Sequence, residues 1–245
     1  MNITASYELT IVIPIFSQEE SLPELFSALE KYKSKSTHRF CILFVDDAST
    51  DKSLTLIRDH CAKVQDAFYI SLLRRNGTSG ALKAGLLHTF SENVGYLDPE
   101  IKLDPLQFEK LFAKLPDAGM VCGERDFSKN RSLRHYIARI ASFIRRSITH
   151  DGLKDALSPV KLAKTELLKE LPWFSGMHYL MPALMILSGN RVNSVTIETY
   201  GRRTSMRRHF SLCELLALLC DLLIFMWMRC RYIDPAVGEG NLKQK

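Results

Sequence analysis

The stretch "FCILFVDDASTD", residues 40–51, decides the fold. Its first six residues are apolar without interruption, a run too short for a buried helix and suited to a strand covered on both faces. Asp46 and Asp47 follow directly, and Ser49, Thr50 and Asp51 then stand where the next helix would be capped. Capping needs one such side chain, so it leaves the two adjacent carboxylates unexplained. A buried strand that ends in acids and turns into a helix reads as the carboxyl edge of a parallel sheet, where α/β folds gather their chemistry. An Asp there can accept from nucleobase N–H groups or ribose hydroxyls.

The same pattern recurs outward in both directions. "LTIVIPI" (9–15) and "AFYISLL" (67–73) are further apolar runs, each closed by a polar turn. Between the runs, 21–32 and 52–64 carry apolar residues at helical spacing, among them Leu22, Leu25, Phe26 and Leu29 in the first and Leu54, Leu56, Ile57 and Cys61 in the second. "SGALKAGLLHTF" after Gly77 predicts another helix. Strand and helix in alternation imply a mostly parallel central sheet with right-handed crossovers, flanked by helices. Farther on, 93–97 predicts a short strand, 106–115 a helix, 119–125 a strand, 131–148 a basic helix and 191–200 a strand. The chain divides as one α/β domain over 1–200 and, over 201–245, a basic segment followed by a C-terminal amphipathic, membrane-associating helix.

With 245 residues, 46% hydrophobic and 24% charged, the chain has the composition of a globular protein with a core. The 33 Lys and Arg against 27 Asp and Glu leave a net charge of +6, concentrated near 131–146, 202–208 and 229–231. Such clusters predict an anionic partner, either phosphate or an acidic membrane. Nucleic acid is disfavoured, because no aromatic platforms interleave the arginines. Six cysteines, none in a Cys-x-x-Cys pair, read as idle thiols in a reducing compartment. The N-terminus reads as a core strand rather than a signal peptide, which places the chain on the cytosolic side.

A second group of acids lies in "VGYLDPEIKLDP" (94–105), where Asp98 and Glu100 are separated by one residue, with Lys102 and Asp104 beyond. Alone, an acid-x-acid pair is most often a solvated turn. At a strand end it can aim two oxygen donors at one Mg2+ or Mn2+, with a substrate diphosphate completing the shell. "RRNGTSGALKAG" (74–85) is a Gly-rich turn into a helix, without the ending of a P-loop.

Taken in order and at these separations, "TIVIPIFSQEESLPELF", "VDDASTDKS", "RRNGTSGALKAG", "LDPE" and "CGERD" resemble the family 2 glycosyltransferases with the GT-A (Rossmann-like) fold. Within it the chain looks most like the dolichol-phosphate mannose synthase branch and its bacterial polyprenyl-phosphate relatives. The resemblance implies a nucleotide-sugar site at Pro14, Phe16, Glu19, Asp46, Asp47, Asn76 and Gly77. It implies a metal site at Asp98 and Glu100 for Mg2+ or Mn2+, and Arg125 on a phosphate. It further implies an acceptor-phosphate region at Arg134, Arg139, Asp155 and Arg202 or Arg203. Four positions depart from the pattern. Ser17-Gln18 stands where Asn-Glu is usual, Glu100 replaces an Asp, and Lys102 stands where the family commonly has Gln. A protonated lysine has no lone pair for a metal, so either Asp104 helps to hold the cation or Lys102 meets the diphosphate itself. The closing "RTSMRRH" also lacks the family's glycine.

The implied reaction is an inverting transfer of a hexose from a nucleotide sugar, of GDP-mannose or UDP-glucose type, to a polyprenyl phosphate at the cytoplasmic face of a membrane. The alternatives are transfer to a glycan or lipid A-type acceptor, and a degenerate GT-A domain kept for binding or scaffolding. Residues 211–228 form an almost wholly apolar run of eighteen, but Glu214 and Asp221 lie on one helical face within it. Each charge costs roughly 2.5–3.5 kcal/mol at mid-bilayer, which favours a helix lying in the interface or packed on the domain over a span. Arg229 and Arg231 would then meet anionic headgroups.

Overall fold

The computed structural model describes residues 7–125, 145–149, 152, 153, 155, 158–200 and 212–231, with only the backbone of 212–219. Strands β1 (Leu9–Ile15) and β2 (Phe40–Asp46) are buried at every position and pair in parallel from Leu9–Phe40 to Ile15–Asp46. Their unbroken apolar runs follow from this double burial. Ile11, Ile13 and Ile15 enter the core on one face, and Val12 enters the core on the other. Helix α1 (Leu22–Lys33) leads to β2, and α2 (Ser53–Lys63) to β3 (Ala67–Ser71). Helix α3 (Gly77–Leu87) then carries the chain to β4 (Asn93–Leu97). Beyond it come α4 (Gln107–Phe112), β5 (Met120–Arg125), β6 (Val160–Lys164), α5 (Thr165–Glu170), α6 (Met177–Leu187), β7 (Val192–Ile197) and α7 (Leu212–Arg231).

The seven strands form one sheet in the order β3-β2-β1-β4-β6-β5-β7. The chain winds outward from β1 through β2 to β3, then returns to the far side of β1 as β4. Leucines of α1 and Phe108 and Leu111 of α4 fill the core on one face; α3, α6 and α7 supply the core on the other. The winding direction therefore reverses between β1 and β4, and an open α/β sheet has its crevice at such a point. Helix α3 lies so close that a Cβ on Gly85 would collide with Val12 and crowd Val45. The third glycine of "RRNGTSGALKAG" is thus a packing residue.

The sheet is mostly parallel, with one exception. Strand β6 runs antiparallel to both β4 and β5 and separates them. It was not expected from the sequence, and neither were α5 and α6. β6 has only five residues, two of them lysines, and α6 contains Pro182. A lysine in a strand interior and a proline in a helix interior each suppress the local signal.

Helix α7 shares the second core, since Leu222 (4% exposed) and Phe225 (1%) pack there with Met228 beside them. Asp221 turns inward as well. A Cβ on Gly176, the residue before α6, would strike its carboxylate. Gly176 has φ +84, so glycine meets both the left-handed backbone and the close approach. The carboxylate also lies at the positive end of the α6 dipole. On the opposite side Leu223, Ile224, Met226 and Trp227 are exposed. The helix is present as expected; where its side chains are described, large apolar residues occupy both sides, and Arg229 and Arg231 are exposed at its end. No helix among the described residues is long and apolar enough to cross a membrane.

One buried base gives the fold a pH dependence. His60 stacks on Phe26 at 3.9 Å, and its Nε2 has no hydrogen-bond partner among the described residues. Burial holds its pKa below the ordinary 6.5, against the pull of Glu30. The unfolded chain therefore takes up this proton first as pH falls, and the stability from His60 is lost below about pH 6.5. His60→Phe keeps the ring stack, so its melting temperature should fall less than wild type between pH 7.5 and pH 5.5. Equal slopes would show that His60 is not the titrating group.

Candidate active site

The loops after β1 and β2 are tied together at the carboxyl edge. Ser17 N–H donates to Ser49 Oγ at 3.0 Å and Gln18 N–H to Ser53 Oγ at 2.7 Å. Glu19 N–H donates to Asp51 Oδ2 at 3.0 Å, and Lys52 N–H returns the bond to Glu19 Oε2 at 2.8 Å. Ser17 and Ala48 take left-handed backbone, φ +48 and +57. Asn tolerates that region better than Ser, a physical reason for Asn being usual at position 17. The Glu19 carboxylate, placed near the ribose by the resemblance, is engaged in this loop-to-loop tie. Pro14 lies within β1, paired with Val45.

Asp46 (1% exposed) accepts from Ser49 N–H at 3.2 Å and from Ser71 Oγ at 2.8 Å. Asp47 (3% exposed) accepts from the Asn76 and Gly77 N–H groups, both at 2.7 Å. Burial raises the pKa of Asp47, while the two N–H groups and Arg75 oppose the rise. Asp47 thus fixes the turn that opens α3. Beside it the Arg75 guanidinium lies 3.9 Å over the Phe16 ring. Phe16, Asp46, Asp47, Asn76 and Gly77 therefore share one side of the rim. Ser79, in the first turn of α3, is hydrogen-bonded to His178 Nδ1 of α6 at 2.7 Å, a link that no sequence pattern announced.

Asp98 follows β4, across β1 from Asp46. Two strand spacings separate β2 from β4, about 10 Å, a gap that the ribose and diphosphate of a nucleotide can bridge. Asp98 N–H donates to Pro159 O at 2.7 Å, and Asp98 Oδ1 accepts from Glu100 N–H at 2.9 Å. That turn sets the second acid beside the first. Lys102 pairs with Glu24 of α1 at 3.0 Å. Asp104 Oδ1 accepts from Leu106 N–H at 3.0 Å, capping the turn into α4. Among the described residues no three His, Cys, Asp or Glu side chains gather as a metal cage. Asp98 and Glu100 offer hard oxygen donors, which suits Mg2+ or Mn2+ in an open site completed by diphosphate oxygens and water.

Arg125 closes β5 and forms a two-pronged pair with Asp155, Nε to Oδ2 at 2.7 Å and Nη2 to Oδ1 at 2.9 Å. The sequence placed one on a phosphate and the other near the acceptor; here each orients the other. Arg134, Arg139, Arg202 and Arg203 lie outside the described residues. Arg145, expected on the basic helix, is buried and donates to Leu153 O at 2.8 Å. Lys161 of β6 was missed. It is 3% exposed, donates to Ser158 O at 2.8 Å and lies 4.9 Å over the Tyr96 ring.

The model of glycosyl transferase family 2 matches residues 10–171. The chain is 24% identical over 246 residues to a dodecaprenyl-phosphate galacturonate synthase of Rhizobium johnstonii, covering 97% of this chain and 72% of that protein. It is 29% identical over 149 residues to an undecaprenyl-phosphate 4-deoxy-4-formamido-L-arabinose transferase of Pseudomonas fluorescens, covering 60% of this chain and 44% of that one. Among solved structures, glucosyl-3-phosphoglycerate synthase from Mycobacterium tuberculosis, in complex with Mn2+, UDP and phosphoglyceric acid, aligns with a TM-score of 0.69 at 18% identity. That alignment covers 96% of this chain and 82% of the other. A mannosyltransferase from Pyrobaculum calidifontis with GDP-Man and Mn2+ aligns at 0.57 and 18%, covering 78% and 55%. The fold is the GT-A arrangement expected from the sequence.

Proposed function

The chain belongs to glycosyl transferase family 2, and we propose that it moves a hexose, with inversion, from a nucleotide sugar to a polyprenyl phosphate. One observation carries the reading: acids at the ends of β2 and β4 flank the switch point of the sheet. The names of the relatives support a lipid phosphate as acceptor. The chain spans less than half the length of the Pseudomonas relative, so the acceptor is inferred from the shared part.

In this reading Phe16, Arg75 and the loops held by Asp46, Asp47 and Glu19 receive the base and ribose. Asn76 and Gly77 lie over the nucleotide, and Pro14 supports the loop from within β1. Asp98 and Glu100 would hold Mg2+ or Mn2+, which supplies positive charge to the departing diphosphate. The acceptor phosphate, with its second pKa near 6, is already largely ionised at neutral pH and needs no strong base. What remains is positioning and charge stabilisation. Arg125, held by Asp155, would meet phosphate oxygens, and Arg134, Arg139, Arg202 and Arg203 would add positive charge for the acceptor phosphate.

The exposed face of α7 would bring the enzyme to its acceptor. Leu223, Ile224, Met226 and Trp227 lie on it, with Arg229 and Arg231 at the helix end. Apolar side chains beside arginines suit shallow insertion at an anionic surface, here the cytoplasmic face.

The test is mass spectrometry of lipids after the protein is incubated with vesicles of anionic phospholipid and undecaprenyl phosphate and a panel of UDP- and GDP-sugars. A sugar-phosphate-lipid product from one donor is expected. Sugar appearing on a saccharide and never on the lipid would reject this acceptor in favour of a glycan. No binding of UDP or GDP, with or without Mn2+, would leave only a scaffold.

A further inference from the structure

Helix α6 has no cap of its own. Gly176 stands at its N-cap position and offers no side chain. Of the amides in the first turn, Met177 N–H turns back to Phe174 O at 3.2 Å and Tyr179 N–H to Gly176 O at 3.0 Å. His178 N–H leaves the helix instead and donates to Ser79 Oγ of α3 at 3.1 Å, and His178 Nδ1 meets the same hydroxyl at 2.7 Å. Ser79 is buried, so a group from inside another helix satisfies this amide. The Asp221 carboxylate reaches the same turn from α7 and crowds the place that a Cβ on Gly176 would take. The α6 dipole favours an acid at this end. Two other helices, α3 and α7, therefore hold the first turn of α6.

Each of those helices carries something further. The first turn of α3 begins at Gly77, whose N–H is fixed by Asp47 together with that of Asn76 at the rim of the sheet. A Cβ on Gly80 would strike the Asn76 side chain, which thus lies close over the same turn. Helix α7 turns Leu223, Ile224, Met226 and Trp227 outward, with Arg229 and Arg231 at its end. Its inner side, Leu222 and Phe225, is buried in the core that α3 and α6 share. A surface that takes up the outer side leaves the inner side docked.

We propose that the first turn of α6 couples the lipid-facing helix to the donor site, so that docking of α7 on an anionic membrane tightens nucleotide binding, and bound nucleotide tightens docking. Two states differ in the contacts named. With α7 seated, Asp221 and Ser79 together restrain the turn. With α7 lifted, Asp221 leaves, and the turn that Ser79 shares with the donor site is held less firmly. A membrane on the outer side of α7 favours the seated state, and so does a nucleotide resting on the α3 turn. Ligands that favour the same state raise each other's affinity by the same factor. The enzyme would then take up donor best where its acceptor is. The proposal rests on the reading of α7 as the membrane contact and of the Asn76–Gly77 turn as part of the donor site.

The experiment measures binding of UDP and of GDP, with Mn2+, to the whole chain by titration calorimetry. It is done without vesicles and with saturating vesicles of phosphatidylglycerol and phosphatidylcholine that contain no polyprenyl phosphate. The Kd of the nucleotide that binds should fall about five-fold with vesicles, the lower end of ordinary coupling between sites. Saturating nucleotide should strengthen vesicle binding by the same factor. In Ser79→Ala and in Asp221→Ala the effect of vesicles on nucleotide affinity should disappear, while both variants still bind each ligand separately. A merely structural Ser79 or Asp221 would lower the melting temperature and leave that effect intact. If one variant does not melt cooperatively, the other reads the same effect. Equal nucleotide affinity with and without vesicles in wild type overturns the coupling and leaves the reading of the two sites standing. An undiminished effect in a folded variant overturns the route through α6, and with it the proposal. Failure of wild type to bind vesicles, or to bind either nucleotide, removes the premise, and the proposal falls with it.

Discussion

Asp98→Asn is expected to lower sugar transfer by about 100- to 1,000-fold, the usual effect of removing one charge-stabilising group from a transfer site. The fold should not share the loss. Asn keeps an oxygen at the position where Asp98 Oδ1 accepts the Glu100 N–H, and the backbone bond to Pro159 O does not involve the side chain. The variant should therefore melt close to wild type while binding UDP or GDP more weakly in Mn2+. Glu100→Gln, which changes the second acid of the pair, should show a loss of the same kind. Undiminished transfer by Asp98→Asn would remove Asp98 from the reaction.

Arg125→Met should damage both stability and activity. Asp155 is 3% exposed and has both oxygens engaged by the Arg125 fork. Deleting the cation leaves a buried carboxylate uncompensated, which costs roughly 3 kcal/mol or more. Neutralising the acid as well, in Arg125→Met with Asp155→Asn, should restore most of the melting temperature, because no lone buried charge remains. Transfer should stay low in the double variant, since the guanidinium proposed to meet phosphate is still absent. Recovery of stability and transfer together would make the pair purely structural.

The first half of the fold was legible because its signals are local. "LTIVIPI" and "FCILFV" are apolar but for Thr10 because both faces of their strands are covered, and few other arrangements tolerate such runs. The acids closing β2 were legible as a rim because a carboxylate in the covered middle of a strand would lack polar partners, whereas at the strand's end the next loops can supply them. Pairings between distant residues left no comparable trace. Arg125 and Asp155 are thirty residues apart, and each alone reads as an ordinary charge. The sequence placed Glu19 at the nucleotide sugar, but not that its carboxylate joins two loops through Lys52 N–H. Lys161 was hidden for the opposite reason. A lysine in "VKLAK" suggests a surface, and only the pairing of β6 between β4 and β5 buries it.

The place of β6 also bears on how the chain is made. Strands β1 to β4 lie side by side and can pair as soon as residue 97 has left the ribosome. Strand β5 cannot join them, because its only neighbours are β6 and β7, both synthesised later. About 35 residues separate its end from Val160, some 2–7 s of translation at ordinary rates. Throughout that interval the nascent chain carries an unpaired apolar strand, and a chaperone that recognises such segments should cross-link to residues 120–125 in stalled chains ending before residue 160 and release them in longer ones.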